Sequence, residues 1–304
     1  MNLRGPNVVE SVPKEMPQNL IHFGKYLRPQ SSDLLVDLKQ LEIKWTRLQF
    51  EMKKSNILED TEEWQSDLSK LKRIAVLDIA FDKSDNSTAC AGIMILEFDH
   101  EHTRLKLVYA NLVDTILSEP YISGLLAFRE GDVYEHMIKS IPVSLAPQCF
   151  IFDGNGILHK REFGLAAHLG VKLNCVSFGM SKNMHFIENR FAFKNASELK
   201  NYYHPFLRKA NDYASLTTLD DHKVLGYAYL CGSRTTNPMF VSQGNKISGN
   251  TCLNVVRMCN EYLKNMNMDS RESIVGFIDK MTNSYFNDRN NFEKFFHQFY
   301  RELF

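Results

Sequence analysis

The sequence predicts a mixed α/β fold: three antiparallel strands, then parallel ones, in a central sheet flanked by helices. Two observations carry this. Three runs rich in branched and apolar residues follow one another closely between residues 73 and 113, separated only by short polar stretches. After about residue 131, helical and strand patterns alternate.

The elements follow in order. Residues 1–30 hold four prolines (Pro6, Pro13, Pro17 and Pro29) and read as a loosely ordered leader. Leu34, Leu38, Leu41, Trp45, Leu48 and Met52 then recur in steps of four and three, predicting a helix with that stripe packed on the core. Asp37, Lys39, Glu42, Lys44, Arg47 and Glu51 fall between them and face water. An acidic linker spans residues 59–63. Strands are predicted at 73–81, 88–97 and 104–113, with polar turns at 82–87 and 98–103. A helix at 131–140 leads to a strand at 149–152 that ends in Asp153. A helix at 163–169 leads to a strand at 173–178, followed by strands at 224–230 and 239–241 and a helix at 248–263. No internal repeat is visible. Elements in this order are those of an RNase H-like fold. In the tail from 266 to 304, Phe292, Phe295, Phe296, Phe299, Tyr300, Leu303 and Phe304 stand at helical spacing and are expected to pack on the domain, with a partner-binding surface as the alternative.

Composition narrows the function less. The 304 residues carry 36 basic and 36 acidic side chains, so net charge does not argue for nucleic acid and any phosphate binding must come from local clustering. Six cysteines without paired spacing predict reduced thiols and a cytoplasmic chain, with the nucleus or nucleolus as further locations. No run nears the roughly 20 apolar residues that span a bilayer, so no membrane partner is expected.

Three carboxylates stand where a buried sheet would meet its loops. Asp78 interrupts the apolar run 74–81, Asp153 closes 149–152 and opens Gly154-Asn155-Gly156, and Glu130 ends 124–129. A carboxylate inside an apolar strand is costly unless paired or bound to a metal. Asp78 alone also reads as a salt-bridged structural residue, and Asp153 alone as an ordinary turn aspartate. Together they form a hard-oxygen set suited to Mg²⁺ and to phosphodiester hydrolysis, with Mn²⁺ as a substitute.

Two longer stretches carry a resemblance. Pro120-Tyr121-Ile122-Ser123-Gly124-Leu125-Leu126-Ala127-Phe128-Arg129-Glu130 resembles the PYxxGxLxFRE segment of the endonuclease V family. The run from Asp153 to Gly170 resembles that family's DGxGxxHxRxFGxAxHLG signature. The likeness runs from about Trp45 to Val256, includes Gly179-Met180-Ser181-Lys182 and Val241-Ser242-Gln243-Gly244, and is strongest to animal members.

The resemblance implies a catalytic domain over 31–265 with a helical extension over 266–304, acting as a monomer. It implies Asp78, Glu130 and Asp153 as metal ligands and Lys182 at the scissile phosphate. Tyr121 would be a wedge filling the gap of a flipped nucleotide. A hypoxanthine pocket is implied around Gly124, Leu125, Leu126, Gly154, Asn155 and Gly156, with His159 beside it. The implied activity is cleavage of the second phosphodiester bond 3′ to inosine, leaving 3′-hydroxyl and 5′-phosphate ends. Single-stranded RNA is the expected substrate, and deoxyinosine in DNA the alternative. His168, on an apolar helix face, reads as a core histidine. One departure stands out: where the family has Gly-His-Arg/Lys, this chain has Gly244-Asn245-Lys246. Asn245 cannot shuttle a proton near neutral pH, which keeps an inosine-binding protein with weak cleavage as a third reading.

Overall fold

The computed structural model describes residues 20–27, 37–82, 84–85, 87–184, 186–187, 189–232, 237–266 and 273–288, with Phe292, Phe296 and Tyr300. In chain order the strands are β1 (Ile21–Leu27), β2 (Arg73–Phe81), β3 (Thr88–Asp99), β4 (Arg104–Ile116), β5 (Cys149–Asp153), β6 (Ser177–Ser181), β7 (Tyr213–Thr217), β8 (Val224–Tyr229) and β9 (Met239–Asn245). The helices are α1 (Leu38–Lys53), α2 (Leu126–Lys139), α3 (Leu165–Lys172), α4 (Ala196–Tyr203), α5 (Gly249–Asn265) and α6 (Ile274–Asn287).

The strands form one nine-stranded sheet in the order β1-β4-β3-β2-β5-β6-β9-β8-β7. β2, β3 and β4 pair antiparallel, β2–β5 and β5–β6 parallel, and β6–β9 antiparallel again. This is the expected RNase H-like arrangement. Alternation along β2 splits the core between two faces. Ile74 and Val76 join one cluster with Leu253, Val256, Ile278 and Met281 of α5 and α6. Ala75 and Leu77 join the other with Val133 and Met137 of α2 and Leu165 and Leu169 of α3. A sheet covered on both faces explains why β2 and β3 read as near-continuous apolar runs.

Several boundaries differ from the sequence expectation. Part of the presumed leader is ordered: β1 runs parallel to β4 from Ile21↔Ala110 to Leu27↔Ile116, with Phe23 stacked on Tyr285 at 5.8 Å. It covers the open edge that β4 would otherwise present. Leader residues 1–19 and 28–30, and Leu34 of the helical stripe, lie outside the described residues. α1 forms where expected but buries a different line, Trp45 and Gln49, while Leu38 and Leu48 are exposed. Here a glutamine is inside because the backbone it meets needs donors. α2 starts at Leu126 rather than near 131, so Glu130 lies within the helix. The strand expected at 173–178 starts at Ser177, because Leu173 caps α3 and Asn174 turns the chain at φ 52°. In the tail, Phe292, Phe296 and Tyr300 are buried in the core as expected; Phe295, Phe299, Leu303 and Phe304 lie outside the described residues. No described helix is long and apolar enough to cross a membrane.

Candidate active site

Register places the first two carboxylates. β2 and β5 pair in parallel from Ile74↔Cys149 to Leu77↔Phe152, so the next step sets Asp78, inside β2, beside Asp153 at the end of β5. Both side chains take the parity of Ile74 and Val76, the face covered by α6. Across β2, Asp78 pairs with Gly92, where an added Cβ would meet Thr282 Cγ2 at 2.5 Å. The missing side chain lets α6 approach closely enough for Thr282 Oγ1 to donate to Asp78 Oδ2 at 2.7 Å.

That approach brings in a residue the sequence reading missed. Asp279, one turn before Thr282 on α6, joins Asp78 and Asp153 in a cluster whose carboxylate oxygens lie within 4.8 Å of one another. Such a hard-oxygen donor set fits a divalent cation of the Mg²⁺ or Mn²⁺ kind. Glu130 is not in that set. It enters from α2 on the opposite face and is only 2% exposed. The only signal for Asp279 in the sequence was an acid between Ile278 and Lys280 in an amphipathic helix, which alone reads as a solvated residue.

The electrostatics match a set of acids held together. Burial pushes Asp78 above the usual carboxylate range, and Asp279 adds to it. Burial and then the Asp78 charge raise Asp153 to about 7. Glu130 rises to about 8, through burial first and then Asp78, with Asp153 contributing. Lys182 follows β6 and places Nζ 2.6 Å from Asp279 Oδ2. Desolvation would lower its pKa, but the bond to Asp279 raises it. The Tyr134 hydroxyl, buried in the field of Glu130, Asp78 and Asp153, has no hydrogen-bond partner among the described residues. Buried acids with so little opposite charge among them fit a site that takes up a cation.

Beside the acids lies a recess of about 100 Å³, lined by Gln49, Tyr121, Gly124, Leu126, Ala127, Gly154, Asn155, His159, Gly164 and Leu165. Gly154 and Asn155 directly follow Asp153, and Leu126 and Ala127 precede Glu130 by about one turn. Tyr121 stands 66% exposed at the rim. Gly124 turns at φ 76°, a conformation that favours glycine. Asn155 Oδ1 accepts from the Ser181 hydroxyl at 3.1 Å. The backbone N–H of Arg161 donates to His159 Nδ1 at 3.2 Å, which assigns the proton of a neutral ring to Nε2. The recess thus gathers Tyr121, Gly124, Leu126, Gly154, Asn155 and His159 of the expected residues, and adds Gln49 from α1.

Three expectations are corrected. Leu125 does not line the recess; it is buried and caps α2. Gly156 does not either. Its N–H donates to Ser242 Oγ at 2.8 Å and its carbonyl accepts from Gly164 N–H at 2.8 Å. A Cβ there would lie 1.9 Å from the Gln243 carbonyl oxygen, so close packing against β9 is what requires a glycine. Asn245 is part of neither recess nor cluster. Its amide donates to the carbonyls of Gly170 (3.0 Å) and Cys175 (3.1 Å) and accepts from Ile57 N–H (3.1 Å). It ties the linker after α1 to the end of α3. His168 is a core residue as expected, edge-on to Phe128 with ring centroids 4.8 Å apart.

Comparisons with known proteins bear on the fold that carries this site. The family model described as Endonuclease V matches residues 51–265. Endonuclease V of Homo sapiens is 33% identical over 223 residues, 71% of this chain and 75% of that protein. Endonuclease V of Thermus thermophilus is 31% identical over 191 residues, 62% of this chain and 74% of that protein. Among solved structures, the catalytic domain of human Endonuclease V aligns with a TM-score of 0.72 at 28% identity, covering 84% of this chain and 99% of that one. Ciona intestinalis Endonuclease V, in complex with a 24mer DNA containing an inosine followed by a ribo-adenosine, aligns with a TM-score of 0.70 at 27% identity, covering 83% and 100%.

Proposed function

The chain belongs to the endonuclease V family, and from that premise we propose that it is a metal-dependent endonuclease cutting the second phosphodiester bond 3′ to inosine in single-stranded RNA. The observation that carries this is an adjacency in the chain: the recess is walled by Gly154 and Asn155, which directly follow Asp153 of the Asp78–Asp153–Asp279 cluster. Asp78, Asp153 and Asp279 would hold Mg²⁺, or Mn²⁺ in its place, with Glu130 behind them. When bound, that cation supplies Lewis acidity and charge neutralisation at the scissile phosphate.

The chain's own groups do the rest. Tyr121 at the rim takes the place of the flipped nucleotide in the base stack, since an aromatic plate replaces lost stacking without regard to sequence. The recess receives the hypoxanthine, offering backbone groups near Gly124 and Gly154, with His159 in its lining. Lys182, half exposed beside Asp279, meets the phosphate near the cut. Water oxygen bonds to phosphorus as the P–O3′ bond breaks; the departing oxygen takes a proton, leaving 3′-hydroxyl and 5′-phosphate ends. The ribo-adenosine that follows inosine in the Ciona complex supports a ribonucleotide at that step. A nuclease at deoxyinosine in DNA is the second reading, favoured by the remainder of that strand. Six cysteines that form no disulfide with one another, five of them buried, support a reducing location, the cytoplasm with the nucleus or nucleolus. We take the chain to act as a monomer.

The test is cleavage of paired ribo- and deoxyribo-oligonucleotides carrying one inosine or one adenosine, with Mg²⁺ and with EDTA. Metal-dependent cutting of the inosine ribo strand alone is expected; cutting only the deoxyribo strand selects the second reading. Asp78→Asn and Asp279→Asn should each abolish cutting while leaving strand binding intact. Persistence of cutting in either would remove that residue from the reaction.

A further inference from the structure

One buried polar side chain belongs to the recess without being accounted for by the carboxylates or by base contact. Gln49, 1% exposed, projects from α1 between two walls that come from distant parts of the chain. Its Nε2 donates to the carbonyl of Gly124 at 3.1 Å and to that of Phe163 at 2.7 Å. Its Oε1 accepts from Arg161 Nε, and Arg161 Nη2 donates to the same Gly124 carbonyl at 2.5 Å. The amide therefore uses both donors and its acceptor on protein, with none directed to a ligand. The Gly124 carbonyl, in turn, has both lone pairs taken.

The chemistry explains the residue type. Gly124 sits at φ 76° in a turn that glycine leaves free to move, so its position must be fixed from outside. Glutamine is an uncharged side chain long enough to carry two donors and one acceptor into a closed space. Glutamate lacks the donors, and methionine fills the volume but lacks all three groups. Trp45, one turn earlier, stacks on Phe128 of α2 at 5.1 Å and 6°, which holds α1 against that wall.

We propose that Gln49, locked to Arg161, is a positioning residue that fixes the spacing between Gly124 and the Phe163 carbonyl, which leads into the Gly164 wall, and so sets the preference for inosine over adenosine. This rests on the reading of the recess as the inosine site. Hypoxanthine and adenine differ in the donor and acceptor order along one edge. Backbone walls distinguish them only while their groups stay in register with that edge. A loosened Gly124 turn would lose inosine binding without weakening phosphate contacts, which both strands make alike.

The experiment measures binding of the full chain to two fluorescein-labelled single-stranded RNAs, identical except for one inosine or adenosine, by anisotropy in EDTA. Thermal melts of each variant accompany it. For Gln49→Met and Gln49→Glu, Kd for the inosine strand should rise about tenfold, with the adenosine strand within about twofold of wild type. If Gln49→Met fails to fold, Arg161→Lys tests the same link, because it removes the Nη2 donor and keeps the charge. Equal loss on both strands marks a merely structural role and overturns the proposal, as does a folded variant with full inosine preference. A wild type that prefers inosine beside a variant that prefers it equally overturns the clamp alone. A wild type without preference overturns the inosine reading, and the clamp with it.

Discussion

Thr282 and Asp78, separated by 204 positions in the chain, share a hydrogen bond of 2.7 Å at the edge of the carboxylate cluster. Thr282 is completely buried, and its hydroxyl is the side-chain donor to the most buried carboxylate of the set. Partners of this kind orient a ligand and tune its charge. Thr282→Val keeps the shape and removes the donor. It should weaken Mn²⁺ binding about tenfold, read by titration calorimetry. An unchanged affinity would show that Asp78 is oriented by the strand alone.

Cation binding should strengthen with pH. Asp153 stands at about 7 and Glu130 at about 8, each raised by burial first and by neighbouring acids second. A cation selects the ionised groups, so loading releases protons, and affinity rises from pH 6 to 8 by at least about tenfold before levelling. For the cation-free protein the sign reverses. Groups raised in the folded state contribute stability that is complete below their unfolded values near 4 and is lost as pH rises through 7 and 8. Calorimetric titration with Mn²⁺ at pH 6, 7 and 8 checks this. A flat profile would mean that the acids are already ionised at pH 6.

Asn245 predicts a stability phenotype without a catalytic one. Asn245→Ala leaves the buried carbonyls of Gly170 and Cys175 and the Ile57 N–H short of partners, at a cost of about 2 kcal/mol. Urea melts should register that loss while kcat at saturating substrate stays near wild type. Asn245→His should bring no gain in rate. A rate increase on introducing histidine would restore a proton-shuttle role to the position.

His168 makes the fold sensitive to acid. Burial, with a contribution from Lys172, lowers its pKa from 6.5 to about 4. The folded state therefore binds fewer protons than the unfolded state between those values. Its contribution to stability is complete above 6.5 and is lost as pH falls through 4, on the order of 3 kcal/mol for a shift of that size. His168→Leu should flatten the difference between urea melts at pH 7.5 and pH 4.5. An equal acid loss in the variant would assign the sensitivity to other groups.

Much of the site was legible because its residues lie in runs whose local chemistry is unusual. Asp78 inside an apolar strand, Asp153 ahead of a Gly-Asn-Gly turn, and Tyr121 and Gly124 in one short segment all stand out from their neighbours. Asp279 does not. An acid in an amphipathic helix is ordinary until the helix is docked, and docking depends on Gly92 of β3 leaving room for Thr282. Gln49 was hidden behind the stripe of leucines on α1, two of which, Leu38 and Leu48, proved exposed. The bonds of Asn245 were equally hidden: its place in a motif suggested chemistry, and only the fold brings its side chain to Ile57, Gly170 and Cys175.

By itself, the sequence placed α1, β2 to β4, α2, β5, α3, β6, β8, β9 and α5 in order, the mixed sheet, and Asp78 and Asp153 as a candidate pair; it did not give β1, α4, β7 or α6. Periodicity and buried charge are local properties, and they survive being read along a line. Tertiary structure alone decided which distant groups share a space: α6 supplying Asp279, α1 supplying Gln49, and β1 closing the β4 edge. Those contacts are set by the shapes of two packed faces, which one-dimensional spacing does not encode.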